Sequence, residues 1–183
     1  KVAEASKMLE NIQRDVNIAL INEYAQGCSA LGIQIHEVLE AAGTKWNFHP
    51  YKPGLVGGHC IGVDPYYMLY RTAQEGVELP LIRQARETNQ AAPRELAARV
   101  VKDLLRRKCE LRVLVVGATF KENCDDLRNS KVLDLVQELM SWGCEVQLHD
   151  PVVNQKRLQA LYGPGAVLAE MPQERHIYGS VIL

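Results

Sequence analysis

Apolar residues return every three or four positions along the first stretch of the chain, and this period predicts one long helix from Lys1 to about Leu31. On that helix Ala5, Met8, Leu9, Ile12, Val16, Ala19 and Leu20 share one face, and Lys7, Asn11, Arg14 and Asn22 fall on the opposite side, which reads as solvated. A second helix is predicted over 35–42, closed by Gly43. Residues 46–54, rich in proline and aromatic side chains, are too irregular for a strand and too apolar for a flexible linker. Helical periodicity resumes over 65–76 and again from Pro80 through Ile82, Ala85 and Asn89. Pro93 then starts a new helix or kinks the old one, before the stripe continues through Leu96, Val100, Leu104 and Leu105.

From Leu111 the period changes. Arg112-Val113-Leu114-Val115-Val116-Gly117 is a short apolar run ending at glycine, the pattern of a buried parallel strand. Val132, Leu135, Val136 and Leu139 supply a helical stripe that stops near Gly143, and 144–151 reads as a second strand. Strand, helix, strand is a βαβ unit with a right-handed crossover. A helix over 155–161 and strands over 166–168 and 178–183 extend it. The expected fold class is therefore α/β: an all-helical domain over 1–92, then a Rossmann-like parallel α/β domain over 93–183 that is incomplete at its carboxyl end.

Composition narrows the function classes. The 183 residues carry a formal net charge of −1, with 47% apolar and 23% charged residues. That balance offers no electrostatic footprint for nucleic acid or an anionic membrane. No apolar run approaches a membrane span, and the start has no signal-peptide pattern. Five scattered cysteines without a CxxC pair indicate neither a disulfide framework nor a metal knuckle, and reduced thiols fit a cytoplasm.

The chemistry concentrates in Gly57-Gly58-His59-Cys60-Ile61-Gly62-Val63-Asp64-Pro65-Tyr66-Tyr67. Gly57, Gly58 and Gly62 permit backbone angles and close approaches that a Cβ would forbid, so a substrate could lie against the main chain beside the Cys60 sulfur. Asp64 before Pro65 suits a helix N-cap followed by proline at the first helical position, and a thiolate gains from donors and positive dipole there. The plainer alternative is a packed cysteine in a structural turn. After the first strand, Gly117-Ala118-Thr119-Phe120-Lys121 lacks the second and third glycines of the dinucleotide fingerprint, so classical NAD binding on this unit is not expected. Lys121 and Arg128, seven apart on that loop, suit a diphosphate or carboxylate clamp.

The glycine loop resembles the catalytic loop of the UDP-glucose/GDP-mannose dehydrogenase family, in the form of its UDP-N-acetylhexosamine branch. The UDP-glucose branch has Gly-Gly-Ser-Cys-Phe and a lysine before the aspartate. The resemblance implies that Cys60 is a nucleophile holding the sugar as a thiohemiacetal and then a thioester. It also implies that Lys7 and Asn11 point into the site to stabilise an oxyanion, and that Asp64 helps hold the hydrolytic water. Gly57 and Gly58 would line the substrate. The string of Gly117, Phe120, Lys121, Asp126, Arg128 and Ser130 resembles the family's UDP-binding domain, which places Phe120 and Lys121 on the UDP-sugar and Arg128 toward NAD. Further implications are a homodimer through the first helix and an amino-terminal NAD-binding domain outside this chain. The competing expectations are a non-catalytic dimerising UDP-sugar-binding module and a parent enzyme for UDP-glucose or GDP-mannose. A thiol hydrolase is disfavoured, because no histidine is placed by motif as the base of a Cys-His pair.

Overall fold

The computed structural model describes residues 1–173 and 177–183. The chain forms two compact units, Lys1–Ala92 and Pro93–Leu183. The first contains α1 (Val2–Ala30), α2 (Ile35–Gly43), α3 (Asp64–Ala73) and the start of α4 (Pro80–Arg107). Pro93 neither ends nor restarts α4, which is assigned as one helix through it. The proline lacks an N–H to offer Asn89, and its ring is fully buried. Gly43 is the last residue of α2 rather than a left-handed cap, the C-cap being Thr44. No helix or strand forms over 44–63, between α2 and α3.

In α1 the buried face is turned from the apolar stripe toward the polar side. Ile12 and Ala19 are buried, and beside them Asn11 and Asp15, whereas Leu9 and Leu20 remain 66% and 59% exposed. Of the polar side, Asn11 is buried and Asn22 half-buried, while Lys7 and Arg14 are exposed. α1 packs on α2 and α3 within this unit.

The second unit is a parallel sheet in the order β2-β1-β3, with β1 (Arg112–Val116) between β2 (Glu145–His149) and β3 (Ser180–Ile182). Helix α5 (Val132–Ser141) makes the crossover from β1 to β2, and α6 (Gln155–Tyr162) follows β2. The expected strand over 166–168 is reduced to one parallel bridge, Leu148 with Val167. Turn residues before it and bends after it carry the chain off the ladder. The β1 and α5 residues that fill the core, among them Val113, Leu114 and Leu139, are those of the two predicted periods. A Cβ on Gly179 would run into the Glu110 carbonyl and the Leu104 side chain, so glycine is required where the chain enters β3. β2 and β3 lie on opposite sides of β1, the strand-order reversal beside which open α/β sheets bind ligands at their carboxyl ends.

Candidate active site

Asp64 opens α3 but does not cap it. The N-cap position is Val63, and the Asp64 carboxylate instead accepts hydrogen bonds on Oδ2 from Lys7 Nζ at 3.1 Å and Asn11 Nδ2 at 2.7 Å. A carboxylate gains more from an ammonium and an amide than from one backbone N–H, so the expected cap yields to a cross-helix cluster. Lys7 and Asn11 are four residues apart on α1, hence neighbours on one face. Asn11 and Asp64 are buried, while the Lys7 side chain keeps 60% of its surface in solvent.

Cys60 is exposed and its thiol is unbonded to any other cysteine. Its carbonyl accepts the N–H groups of Val63 at 3.1 Å and Asp64 at 2.8 Å, which fixes the cysteine one turn ahead of α3. The Lys7 pKa lies above its ordinary value, first because of the hydrogen bond to Asp64, then the Asp64 charge, then Cys60. Sulfur, ammonium and carboxylate thus share one electrostatic neighbourhood. Gly58 needs to be glycine, since its φ is 80°, whereas a Cβ on Gly62 would meet the Gly58 carbonyl at an ordinary 3.6 Å. Gly58 is buried and Gly57 half-buried.

The sequence reading missed a buried polar chain beneath this cluster. Arg86, 2% exposed, is paired with the fully buried Asp15. Asn89 donates to the Asp15 carboxylate at 2.8 Å and to its carbonyl at 2.9 Å. Asn22 donates to Asn89 Oδ1 at 3.1 Å and to the Gly54 carbonyl at 2.9 Å, and accepts the Gly54 N–H at 2.9 Å. The Arg86 guanidinium also lies 5.4 Å from the centre of the Tyr66 ring. Burial pushes the Asp15 carboxyl above its ordinary range, with Arg86 and Asn89 pulling it back. For Tyr66 the upward push of burial is outweighed by the Gln90 amide and Arg86, which leave the phenol below its ordinary pKa. The available signal was helical spacing of polar residues: Asp15 follows Asn11 by four, and Asn89 follows Arg86 by three.

In the second unit Gly117 turns out of β1 at φ 94°. Asp150 accepts the Ala118 N–H at 2.8 Å, and Ser130 Oγ donates to the Ala118 carbonyl at 2.6 Å, so both ends of the 117–130 loop are pinned at the carboxyl end of the sheet. Phe120 is half-buried and Lys121 exposed. The Arg128 guanidinium is forked onto Asp126, Nε to Oδ1 at 3.0 Å and Nη2 to Oδ2 at 2.8 Å. The residues after β1 do not fit a dinucleotide cradle, since Gly117 is the only glycine of the fingerprint present. Among the described residues, no group of three or more His, Cys, Asp or Glu side chains could hold a metal ion, and no helix is long and apolar enough to cross a membrane.

The chain is similar to the UDP-N-acetyl-D-glucosamine 6-dehydrogenase of Pseudomonas aeruginosa, with 49% identity over 166 residues, 89% of this chain and 39% of that protein. Among solved structures, it superposes on the UDP-N-acetyl-mannosamine dehydrogenase Cap5O of Staphylococcus aureus with a TM-score of 0.70 and 35% identity, covering 84% of this chain and 35% of the other. A UDP-glucose dehydrogenase from Pyrobaculum islandicum gives a TM-score of 0.78 at 26% identity, covering 94% and 40%. The chain thus spans well under half the length of the relatives it matches. The model of the UDP-glucose/GDP-mannose dehydrogenase family, central domain, matches residues 1–91, and that of the same family's UDP binding domain matches 114–182. With both domains matched in order, this chain belongs to the UDP-glucose/GDP-mannose dehydrogenase family.

Proposed function

We propose that the chain is the substrate-handling part of an NAD-dependent nucleotide-sugar 6-dehydrogenase that oxidises the C6 alcohol of a UDP-N-acetylhexosamine to the uronic acid. The observation that carries this reading is the cluster of Lys7, Asn11 and Asp64 one turn from an exposed Cys60. Two hydrides must leave C6, and two molecules of NAD, bound in turn mainly on residues outside this chain with Arg128 reaching toward them, would accept one each. The chain's own groups do the rest. The Cys60 thiolate adds to the C6 aldehyde, forming a C–S bond and an oxyanion that the Lys7 ammonium and Asn11 amide stabilise. Once the second hydride has left, the carbon is a thioester; a water held by Asn11 and Asp64 adds to it, and C–S cleavage returns the Cys60 thiol and the carboxylate. Gly57 and Gly58 admit the sugar against the main chain, and Phe120 and Lys121 hold the UDP half. Reduced thiols and a nucleotide-sugar substrate suit the cytoplasm.

Substrate choice follows from the loop. Ile61, Gly62 and Val63 replace a bulky ring and a lysine of the UDP-glucose pattern and leave room for an N-acetyl group. Side-chain swaps of this kind discriminate by roughly 10-fold or more. The enzyme bearing its NAD-binding domain is therefore expected to turn over UDP-N-acetylglucosamine or UDP-N-acetylgalactosamine with a higher kcat/KM than UDP-glucose, read as NADH formed. Equal or better use of UDP-glucose refutes the assignment.

The apolar stripe of α1 has a second role in this reading. Leu9, Leu20 and Tyr24 stand more than half exposed on a helix of 29 residues. Such a surface suits a self-complementary contact with a second copy. A dimer is expected in sedimentation equilibrium at micromolar concentration, dissociating when Leu9 and Leu20 are both changed to lysine. A monomeric parent chain counts against it.

A further inference from the structure

Resting on the proposed role of Cys60, we infer that Asn22 is a positioning residue for the catalytic loop. Its carboxamide grips both the N–H and the C=O of Gly54, each at 2.9 Å, as a neighbouring strand would. Its amide nitrogen also reaches Asn89 Oδ1 at 3.1 Å. Gly54 stands six residues before Cys60, in a stretch with neither helix nor strand. Such a stretch holds its course only where side chains bind its backbone.

Asn22 is a suitable anchor because of what stands behind it. Asn89, fully buried, is fixed by two bonds to Asp15, and Asp15 is paired with Arg86. The same guanidinium faces the Tyr66 ring, two residues beyond Asp64. The loop is thereby tied at both flanks to one buried chain: upstream at Gly54 through Asn22 and Asn89, downstream at Tyr66 through Arg86. Asn22 is on α1, the helix that also carries Lys7 and Asn11. Its grip therefore sets where Cys60 stands relative to the Lys7 ammonium. Asn22 itself touches none of the reacting groups.

The test uses two variants and a control. Asn22→Ala removes all three bonds. Asn22→Asp keeps the shape and the acceptor for the Gly54 N–H but loses both donated bonds. Asn17→Ala removes an amide that bonds only within its own helix, to the Gln13 carbonyl. Alkylation by iodoacetamide is followed for each cysteine peptide by mass spectrometry. Both Asn22 variants are expected to change the alkylation rate of Cys60 by about threefold or more, as the loop that carries it loses its anchor. Cys109 and Cys124 serve as internal references and keep their rates. An unchanged Cys60 rate, or a change shared by all three cysteines, overturns the inference. In the enzyme bearing its NAD-binding domain, kcat is expected to fall by on the order of 10-fold to 10²-fold, with a smaller change in KM. Wild-type enzyme that oxidises no nucleotide sugar sinks the functional reading, while the alkylation result still decides the role of Asn22.

Discussion

Cys60→Ala, made in the enzyme bearing its NAD-binding domain, is expected to abolish formation of the uronic acid, a loss on the order of 10⁴-fold or more in kcat. Alanine leaves no atom that can hold the C6 aldehyde, and the thioester that water would cleave cannot form. The loop itself should survive, because Cys60 is exposed and its structural contribution is its backbone carbonyl, which alanine retains. Lys7→Ala and Asn11→Ala are expected to slow acid formation by roughly 10²-fold, the scale of losing an oxyanion donor. Asn11→Ala also strips a bond from the buried Asp64, so its effect should exceed any change in substrate affinity. The check is direct quantification of acid product by mass spectrometry. Unchanged acid formation by the alanine variant removes Cys60 from the mechanism.

The second large effect concerns stability. Asp15→Ala leaves the Arg86 guanidinium 98% buried by residue surface with no counter-charge, since Arg86 is 2% exposed and cannot shed its proton. Breaking a buried pair in this way costs about 3–5 kcal/mol. Arg86→Met should cost less, because the remaining partner can neutralise itself: burial already holds the Asp15 carboxyl above its ordinary value. The sign of the pH effect follows. A carboxyl whose folded pKa is raised favours the native state below its unfolded pKa, and that advantage is lost as pH rises through the folded value. The Arg86→Met deficit should therefore shrink on acidification. Changing both residues, to Asp15→Ala with Arg86→Met, should recover part of the loss. Urea unfolding followed by circular dichroism measures all three. An Asp15→Ala midpoint no lower than that of Asn17→Ala would mean the pair does not anchor this unit.

Periodicity alone marked most of the elements in their order, though not the single bridge at Val167 in place of a strand. The 3.6-residue stripe over the first stretch marked α1, and the switch to a short β-rich run at Arg112 marked β1 and the βαβ unit around it. These features were legible because local chain geometry and burial agree there: Val113, Leu114, Leu135 and Leu139 are apolar by sequence and buried in the core. The motif around Cys60 was legible too, because cysteine, glycine turn and aspartate lie within a few residues of one another.

What tertiary structure decided is everything that depends on polar side chains meeting across helices. Hydrophobic periodicity assigned the Asn11 face of α1 to solvent, since it scores side chains singly and cannot register a partner 53 residues away. Asn11, Asp15 and Asn22 turn inward because Asp64, Arg86, Asn89 and the Gly54 backbone await them, although Asp15 Oδ2 and Arg86 Nε are left without a partner among the described residues. The same competition decided Asp64, whose cap geometry was readable from Pro65 but whose carboxylate found stronger partners in Lys7 and Asn11. It also set the partner of the Arg128 guanidinium, which is forked onto Asp126, two residues away. Sequence thus marked most of the helices and strands and the glycine loop around Cys60. Only the packed chain decided which charges face one another, because that choice is made by distances that the order of residues does not contain.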